Sequence, residues 1–242
     1  MISRLYCPGD LAAGRSVYLP PDATHHALRV LRLRVGDELV LFDGLGGEYP
    51  GRVTEAARTL RVELADWRDV EREAPLALTL AQALPAGDKM DWVVQKAVEL
   101  GVTAIQPLQA KRSVLRLAGE RADKRIAHWR QVAIAACEQC GRNRLPEIRP
   151  ILDLPHYLAQ LQSENATCLL LSPQHGARLP DLPRPAAVVA LLIGPEGGFD
   201  ASEESAALSV GFQAVTLGPR VLRTETAGLA AMAAIMALWG DF

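Results

Sequence analysis

Val188-Val189-Ala190-Leu191-Leu192-Ile193-Gly194-Pro195-Glu196-Gly197-Gly198-Phe199-Asp200-Ala201-Ser202-Glu203 is the stretch that decides the fold. A short, continuous apolar run ending at Ile193 reads as a strand covered on both faces, the pattern of a parallel sheet. The loop that follows has three glycines, which let backbone amides and carbonyls approach a ligand closely. Asp200 with Glu203 three residues on is a capping-box start for a helix that ends near Gly211. Strand, loop and helix in that order form the repeating unit of an α/β domain. In such a sheet, ligands bind outside the carboxyl ends of the strands.

The same pattern extends in both directions. Downstream, Phe212–Leu217 reads as a strand. It leads into Leu217-Gly218-Pro219-Arg220-Val221-Leu222-Arg223-Thr224-Glu225-Thr226-Ala227, a second loop that mixes glycine with charge. Thr224 or Thr226 is expected to cap the last helix, Ala227–Trp239. That helix is apolar nearly all round and must be buried deep in the domain or against a second subunit. Upstream, Cys168–Ser172, Val102–Pro107 and Leu76–Ala83 read as strands. Between the last two, a helix runs from a cap at Asp88 to Leu100, with Met90, Val93, Val94, Ala97 and Val98 on its apolar face and Gly101 just past its end. A long helix from about Gly119 to Gly141 turns Ile126, Trp129, Ala133, Ala136, Cys137 and Cys140 to one side. Two strand-end loops at one sheet edge define a pocket; the plainer alternative is a pair of tight connecting turns.

The first 72 residues have a different texture. Short apolar runs (Ser16–Leu19, Glu38–Phe42, Tyr49–Val53, Leu60–Leu64) alternate with turn signals, and Asp43-Gly44-Leu45-Gly46-Gly47 reads as a hairpin turn needing positive φ. Thr24–Arg34 interrupts them as a short helical segment. This suits a small antiparallel barrel or sheet. The charged stretch Arg68–Pro75 has no apolar period, so the boundary is placed there, giving domains 1–72 and 73–242.

The 242 residues, 49% hydrophobic and 22% charged, exclude disorder, collagen-like repeats and a disulfide-dense miniprotein. The apolar run Ala186–Ile193 falls far short of the roughly 18 residues of a membrane span. The N-terminal Met1–Pro8 lacks the apolar segment of a secretory signal, so a cytoplasmic location is expected. Net charge is only −2, yet Lys111–Arg149 holds ten basic residues against four acidic ones, and Pro150–Phe242 four against nine. Such a basic block reads either as a polyanion-binding surface or as a salt-bridged helix face.

Cysteines 7, 137, 140 and 168 are too few and too irregular for a disulfide framework. Cys137 and Cys140 end a helix instead of opening one, and no second ligand pair stands at zinc spacing, so they read as small buried hydrophobes and no metal is expected. The five histidines show no paired-ligand pattern. His25-His26 beside Arg29 and Arg32 is a candidate RNA contact. No GxGxxG, GxxxxGK[ST] or GxSxG occurs, which argues against a dinucleotide dehydrogenase, a P-loop kinase and an α/β-hydrolase.

At His26–Arg32 with Gly36-Asp37 and Asp43-Gly44, Lys89–Gly101, Arg112-Ser113, Ala135–Arg142, Ile193–Phe199 and Leu217–Ala227, the chain resembles the bacterial 16S ribosomal RNA uracil-N3 methyltransferases of the RsmE type, within the SPOUT superfamily. It departs from that pattern at Cys137 and Cys140, where relatives resemble Glu-Gln-Ser-Gly. The resemblance implies a PUA-like RNA-binding barrel followed by a methyltransferase domain with a parallel sheet and a deep trefoil knot, acting as a homodimer. It implies S-adenosylmethionine as cofactor, held by Leu171, Leu192, Gly194, Gly197, Leu217, Leu222, Arg223, Thr224, Thr226 and Ala227. The partner it implies is 16S rRNA or the small ribosomal subunit, with no membrane and no metal.

Uracil N3 carries a proton at neutral pH and lies on the Watson–Crick edge, so the base must be unpaired or flipped out of its stack and the proton removed or shared. Glu225 is the expected base and Arg223 the expected stabiliser of the uracil anion. Alternatively, Glu225 only caps or pairs at the helix start. RNA contacts are expected from His26, Arg29, Arg32, Lys111, Arg112 and Arg142. Rival readings are a related methyltransferase acting on another RNA position or a ribose hydroxyl, and a non-catalytic RNA-binding assembly factor.

Overall fold

A computed structural model describes residues 2–161, 166–185 and 187–242. Met1 of the N-terminal reading and Ala186, the first residue of the apolar run before β12, lie outside them. The elements, in chain order, are β1 (Ser3–Tyr6), β2 (Ser16–Tyr18), α1 (Pro21–His25), β3 (Glu38–Phe42), β4 (Tyr49–Ala56) and β5 (Leu60–Leu64). Then come β6 (Ala77–Ala83), α2 (Lys89–Glu99), β7 (Ala104–Gln109), α3 (Glu120–Cys140), β8 (Glu147–Ile148), β9 (Leu152–Asp153) and α4 (Leu154–Leu161). The last are β10 (Thr167–Leu171), β11 (Ala177–Arg178), β12 (Val188–Ile193), α5 (Ala201–Ser209), β13 (Gln213–Thr216) and α6 (Thr224–Trp239). The chain forms two compact units, one of Met1–Glu73 with Ile134–Leu145, the other of Ala74–Ala133 with Pro146–Phe242.

In the first unit five strands run in the order β1-β3-β4-β5-β2. The sequence reading omits β1, which pairs parallel to β3, so the sheet is mixed and not purely antiparallel. With only four residues, β1 carries too little alternation to be read as a strand. β5 shows the period of two plainly: Leu60, Val62 and Leu64 are buried while Arg61 and Glu63 are exposed. They pack with Leu5, Leu39, Leu41 and Val53. In the Asp43–Gly47 turn Gly44, Gly46 and Gly47 all have positive φ, and a Cβ on Gly47 would collide with the Trp67 indole. The expected helical segment starts earlier, with a proline at its first position, and continues as a π-helical turn His26–Val30 before Arg32 turns left-handed. Ile134–Leu145 contributes Glu138, whose Oε1 accepts from the Tyr6 amide at 2.9 Å, and Asn143, whose Nδ2 donates to Glu48.

The second unit is built on an eight-stranded sheet, β11-β13-β10-β12-β6-β7-β8, with β9 also on β7 and every pairing parallel. Side chains alternate across it. Leu170, Ala190 and Leu192 face α4 and α5, while Leu80 and Ile193 face α6 at Gly228. Helices therefore cover both faces, which is why β12 is apolar throughout. Helix α2 buries the five residues expected of it, and Gly101 follows with φ +83°. Asp88 precedes α2 without a side-chain cap and instead binds Arg125 at 2.9 Å. The capping box of α5 is formed as read, Asp200 accepting from the Glu203 amide and Glu203 from the Asp200 amide.

Helix α6 differs from expectation in two respects. Its cap position is Arg223, and Thr224 is the first helical residue, its hydroxyl turned to neighbouring elements. Nor is it buried on every side: Leu229, Met232, Ile235, Met236 and Trp239 are buried, but Thr226, Ala237 and Leu238 are exposed and Ala230, Ala233 and Ala234 only half covered. Alanine is small enough that the stripe is apolar by composition without being wrapped by its own chain.

Candidate active site

β13, β10 and β12 are neighbours in one parallel sheet, so the loops at their carboxyl ends emerge side by side. They enclose a cavity of about 630 Å³. Its floor is apolar, from Leu170, Leu171, Ile193 and Leu222; its walls are the backbone of residues 194–199 and 216–224. The first loop is a tight turn, the Gly198 amide donating to Pro195 O at 2.8 Å with Gly198 at φ +66°. A Cβ on Gly194 would press on Phe199 at 3.3 Å, so a larger residue there requires Phe199 to shift by a few tenths of an ångström. The two loops are tied together. The Thr224 hydroxyl donates to Gly194 O at 2.5 Å and accepts from Gln82 Nε2 at 2.9 Å. Thr224 and Gln82 are buried, so each bond replaces one that water would otherwise make.

Of the residues expected to hold a cofactor, Leu171, Gly194, Gly197, Leu217, Leu222, Arg223, Thr224 and Ala227 line this cavity. Leu192 does not; it points the other way into the core under α4 and α5, because successive residues of a strand face opposite sides. Thr226 also lies off the cavity, exposed on α6. The sequence reading missed Lys89, Ser172, Gln174 and Glu204, which do line it. Lys89 follows the end of β6, a third strand-end connection whose Gly87 (φ +68°) was the available signal.

Two residues expected on RNA serve the cavity wall. Arg112 Nη1 donates to Gly197 O at 2.9 Å and Phe199 O at 3.3 Å, clasping the glycine loop. Lys111 binds Asp200 at 2.8 Å, and its amide donates to Glu203 at 2.7 Å. The hydrogen bond from Lys111 holds the Asp200 carboxyl far below the usual carboxylate range. Arg142, in the first unit, is 4% exposed and held by both Glu73 oxygens, so it has no face to offer a phosphate. In the same unit Arg29 and Arg32 are exposed and His26 is half-buried. Much of the basic block is paired: Arg125 with Asp88, Arg144 with Glu71, Arg149 with Glu147 and Lys124 with Glu120.

Glu225 is salt-bridged to Lys89 Nζ at 3.1 Å through one oxygen; the other is buried without a partner among the described residues, and the side chain does not line the cavity. This contact is the kind of pairing at the helix start that the sequence offered beside a base role. Lys89 also reaches Glu196 at 3.4 Å. Burial pushes the Glu196 carboxyl up, but hydrogen bonds from the Ala86 amide and Lys89 outweigh it and the net shift is downward. The hydrogen bond to Glu225, strengthened by both carboxylate charges, raises Lys89 above the usual ammonium range. Among the described residues no group of three or more His, Cys, Asp or Glu side chains is placed to hold a metal, and no helix is long and apolar enough to cross a membrane.

The sequence of residues 72–236 matches the family model described as RNA methyltransferase domain, and residues 19–64 match the model described as RNA methyltransferase PUA domain. A ribosomal RNA small subunit methyltransferase E of Neisseria gonorrhoeae, solved with S-adenosyl methionine, is 43% identical over the whole of both chains with a TM-score of 0.93. A methyltransferase of Legionella pneumophila, solved with bound SAM, is 38% identical over the whole of both chains with a TM-score of 0.96. The ribosomal RNA small subunit methyltransferase E of Buchnera aphidicola subsp. Schizaphis graminum is 33% identical over 99% of this chain and 98% of its own. The chain belongs to the ribosomal RNA small subunit methyltransferase E family.

Proposed function

We propose that this protein transfers a methyl group from S-adenosylmethionine to N3 of a specific uridine in the 16S rRNA of the small ribosomal subunit, in the cytoplasm. The observation that carries the reading is the tie between the two glycine-bearing loops, Thr224 to Gly194, around one cavity at the sheet edge. Its residues fit the donor. The apolar floor suits an adenine ring. When bound, S-adenosylmethionine supplies the methyl group of its sulfonium centre. The chain's own part is alignment: Arg112 and Thr224 fix the loops so that donor and acceptor meet in line, which accounts for most of the acceleration. Arg223 faces the cavity to balance charge on the uracil oxygens. Glu225 is assigned to hold Lys89.

The proposal includes the RNA-binding role of the first domain, with His26, Arg29 and Arg32 as its contacts, a domain boundary at residues 72–73, and Ile134–Leu145 returning to complete the first unit. It includes the trefoil knot in the second domain, supported by the adjacency of the β10, β12 and β13 loops. It includes a homodimer, supported by the uncovered stripe Thr226, Ala230, Ala233, Ala237 and Leu238 on α6. The test is to incubate the protein with small ribosomal subunits lacking the modification and labelled donor, then map the product by mass spectrometry. Methyl on uridine N3 at one position is expected. Methyl on a ribose or another base overturns the N3 assignment, and no binding of S-adenosylmethionine by calorimetry overturns the enzyme reading.

A further inference from the structure

An ammonium group has three hydrogens to donate and no acceptor to offer. On Lys89 two of them are spent, at 3.1 Å on Glu225 and at 3.4 Å on Glu196. No third protein acceptor is recorded among the described residues, and the side chain, 35% exposed, lines the cavity. The two carboxylates come from the two glycine-bearing loops, Glu196 inside the first and Glu225 at the end of the second. Glu196 is itself anchored by the Ala86 amide at 2.9 Å. The ammonium is thus anchored by one carboxylate from each loop, which leaves it one hydrogen for a ligand in the cavity that its side chain lines.

We propose that Lys89 donates this third hydrogen to a carbonyl oxygen of the flipped uracil and balances the negative charge that appears on that oxygen when N3 loses its proton. The proposal rests on the methylation of uracil N3 argued above. In the balanced step the N3 proton goes to water, N3 bonds the methyl carbon, the carbon–sulfur bond breaks and a neutral thioether leaves. Lys89 keeps its proton throughout. Paired to two carboxylates, it is held in the charged form and cannot serve as the proton acceptor. Glu225 cannot serve either, with one oxygen on Lys89 and the other buried off the cavity. What accelerates proton loss is then a preorganised cation at the oxygen where charge develops, the arrangement worth most in a water-poor site. Arg112, Arg220 and Arg223 on the same cavity add positive charge and offset the second carboxylate of the Lys89 cluster.

The experiment compares the intact wild-type protein with Lys89→Met and Lys89→Arg, each checked by circular dichroism. Single-turnover methylation at saturating donor and RNA is expected to fall about 10²-fold or more in Lys89→Met, with partial rescue in Lys89→Arg. Donor affinity by calorimetry should stay within a few-fold. A second readout needs no donor: RNA with 5-fluorouridine at the target position reports N3 ionisation by fluorine NMR. Its midpoint in the complex should be lower on the wild type than on Lys89→Met. An unchanged midpoint, a Lys89→Met rate within a few-fold of wild type, or loss of donor binding in that variant each overturns the assignment. If Lys89→Met does not fold, the midpoint is read on Lys89→Arg and Lys89→Gln under the same criterion. Failure of the wild type to make N3-methyluridine sinks the parent reading instead, a result distinct from all of these.

Discussion

Glu225 shows how one side chain is reassigned once its neighbours are known. In the sequence it stands between two threonines at a helix start, where base and cap are both reasonable. Lys89, far away in the chain, settles its partner. A general base contributes typically about 10²- to 10⁴-fold, so Glu225→Gln separates the roles: a single-turnover rate within about tenfold of wild type is expected at saturating donor. A loss beyond about 10²-fold would restore Glu225 as proton acceptor. Cys137 is a second case. It is fully buried, and burial pushes its thiol up to about 12. The folded state therefore holds the thiol proton more tightly than the unfolded chain, whose thiol titrates near about 8.5. The resulting stability is complete below that pH and is lost as pH rises toward 12. Urea unfolding of wild type against Cys137→Ala should show a difference that is constant to about pH 8.5 and shrinks above it. A difference independent of pH would show that the thiol titrates normally.

Among the elements, those with strong periodic signals were legible, and the exceptions have physical causes. Helix α2 was readable down to its five buried positions because its apolar stripe, its flanking Gly101 and its length all agree. The α5 capping box was readable because its two hydrogen bonds are local. The start of α6 was not. Thr224 has the chemistry of a cap, but its hydroxyl is drawn to Gly194 O in the loop after β12 and to Gln82 on β6, partners that no local rule foresees. The same packing gives α6 a sensitive position. A Cβ on Gly228 would lie 3.1 Å from Gln82 Oε1, 3.3 Å from Ile193 and 3.4 Å from Leu80. Gln82 is held through its Nε2 by Thr224, so a larger side chain is accommodated only by shifting Gln82 or the helix. Gly228→Val is expected to cost about 1–3 kcal/mol in chemical denaturation and to weaken donor binding, since α6 carries Thr224 and Ala227 into the cavity. A variant as stable as wild type would mean that α6 packs more loosely than these distances require.

For the molecule as a whole, composition and order of elements were enough to read an α/β unit preceded by a small β unit. The charge pattern left two readings open. The Lys111–Arg149 block read either as a polyanion surface or as a salt-bridged face, and Lys111, Lys124, Arg125, Arg142, Arg144 and Arg149 each have a carboxylate partner. A count of charges does not reveal which acids fold back onto them. Binding to RNA should therefore depend on exposed arginines outside the block. Arg29→Gln and Arg32→Gln are each expected to flatten the dependence of log affinity on log salt by about one contact, while Arg144→Gln leaves it unchanged. The opposite ranking in filter binding across a salt series would return the block to the RNA.

β6 has one further consequence, which concerns time. It is the first strand of its sheet to be synthesised, yet it lies between β7, which follows closely, and β12, which is made more than a hundred residues later. Until the ribosome has released that distant segment, one side of the central ribbon has no native neighbour. Closing so large a loop is slow, and an unpaired apolar edge invites association with other nascent chains. Maturation of this protein is thus paced by its C-terminal third, the same third that supplies the cavity loops.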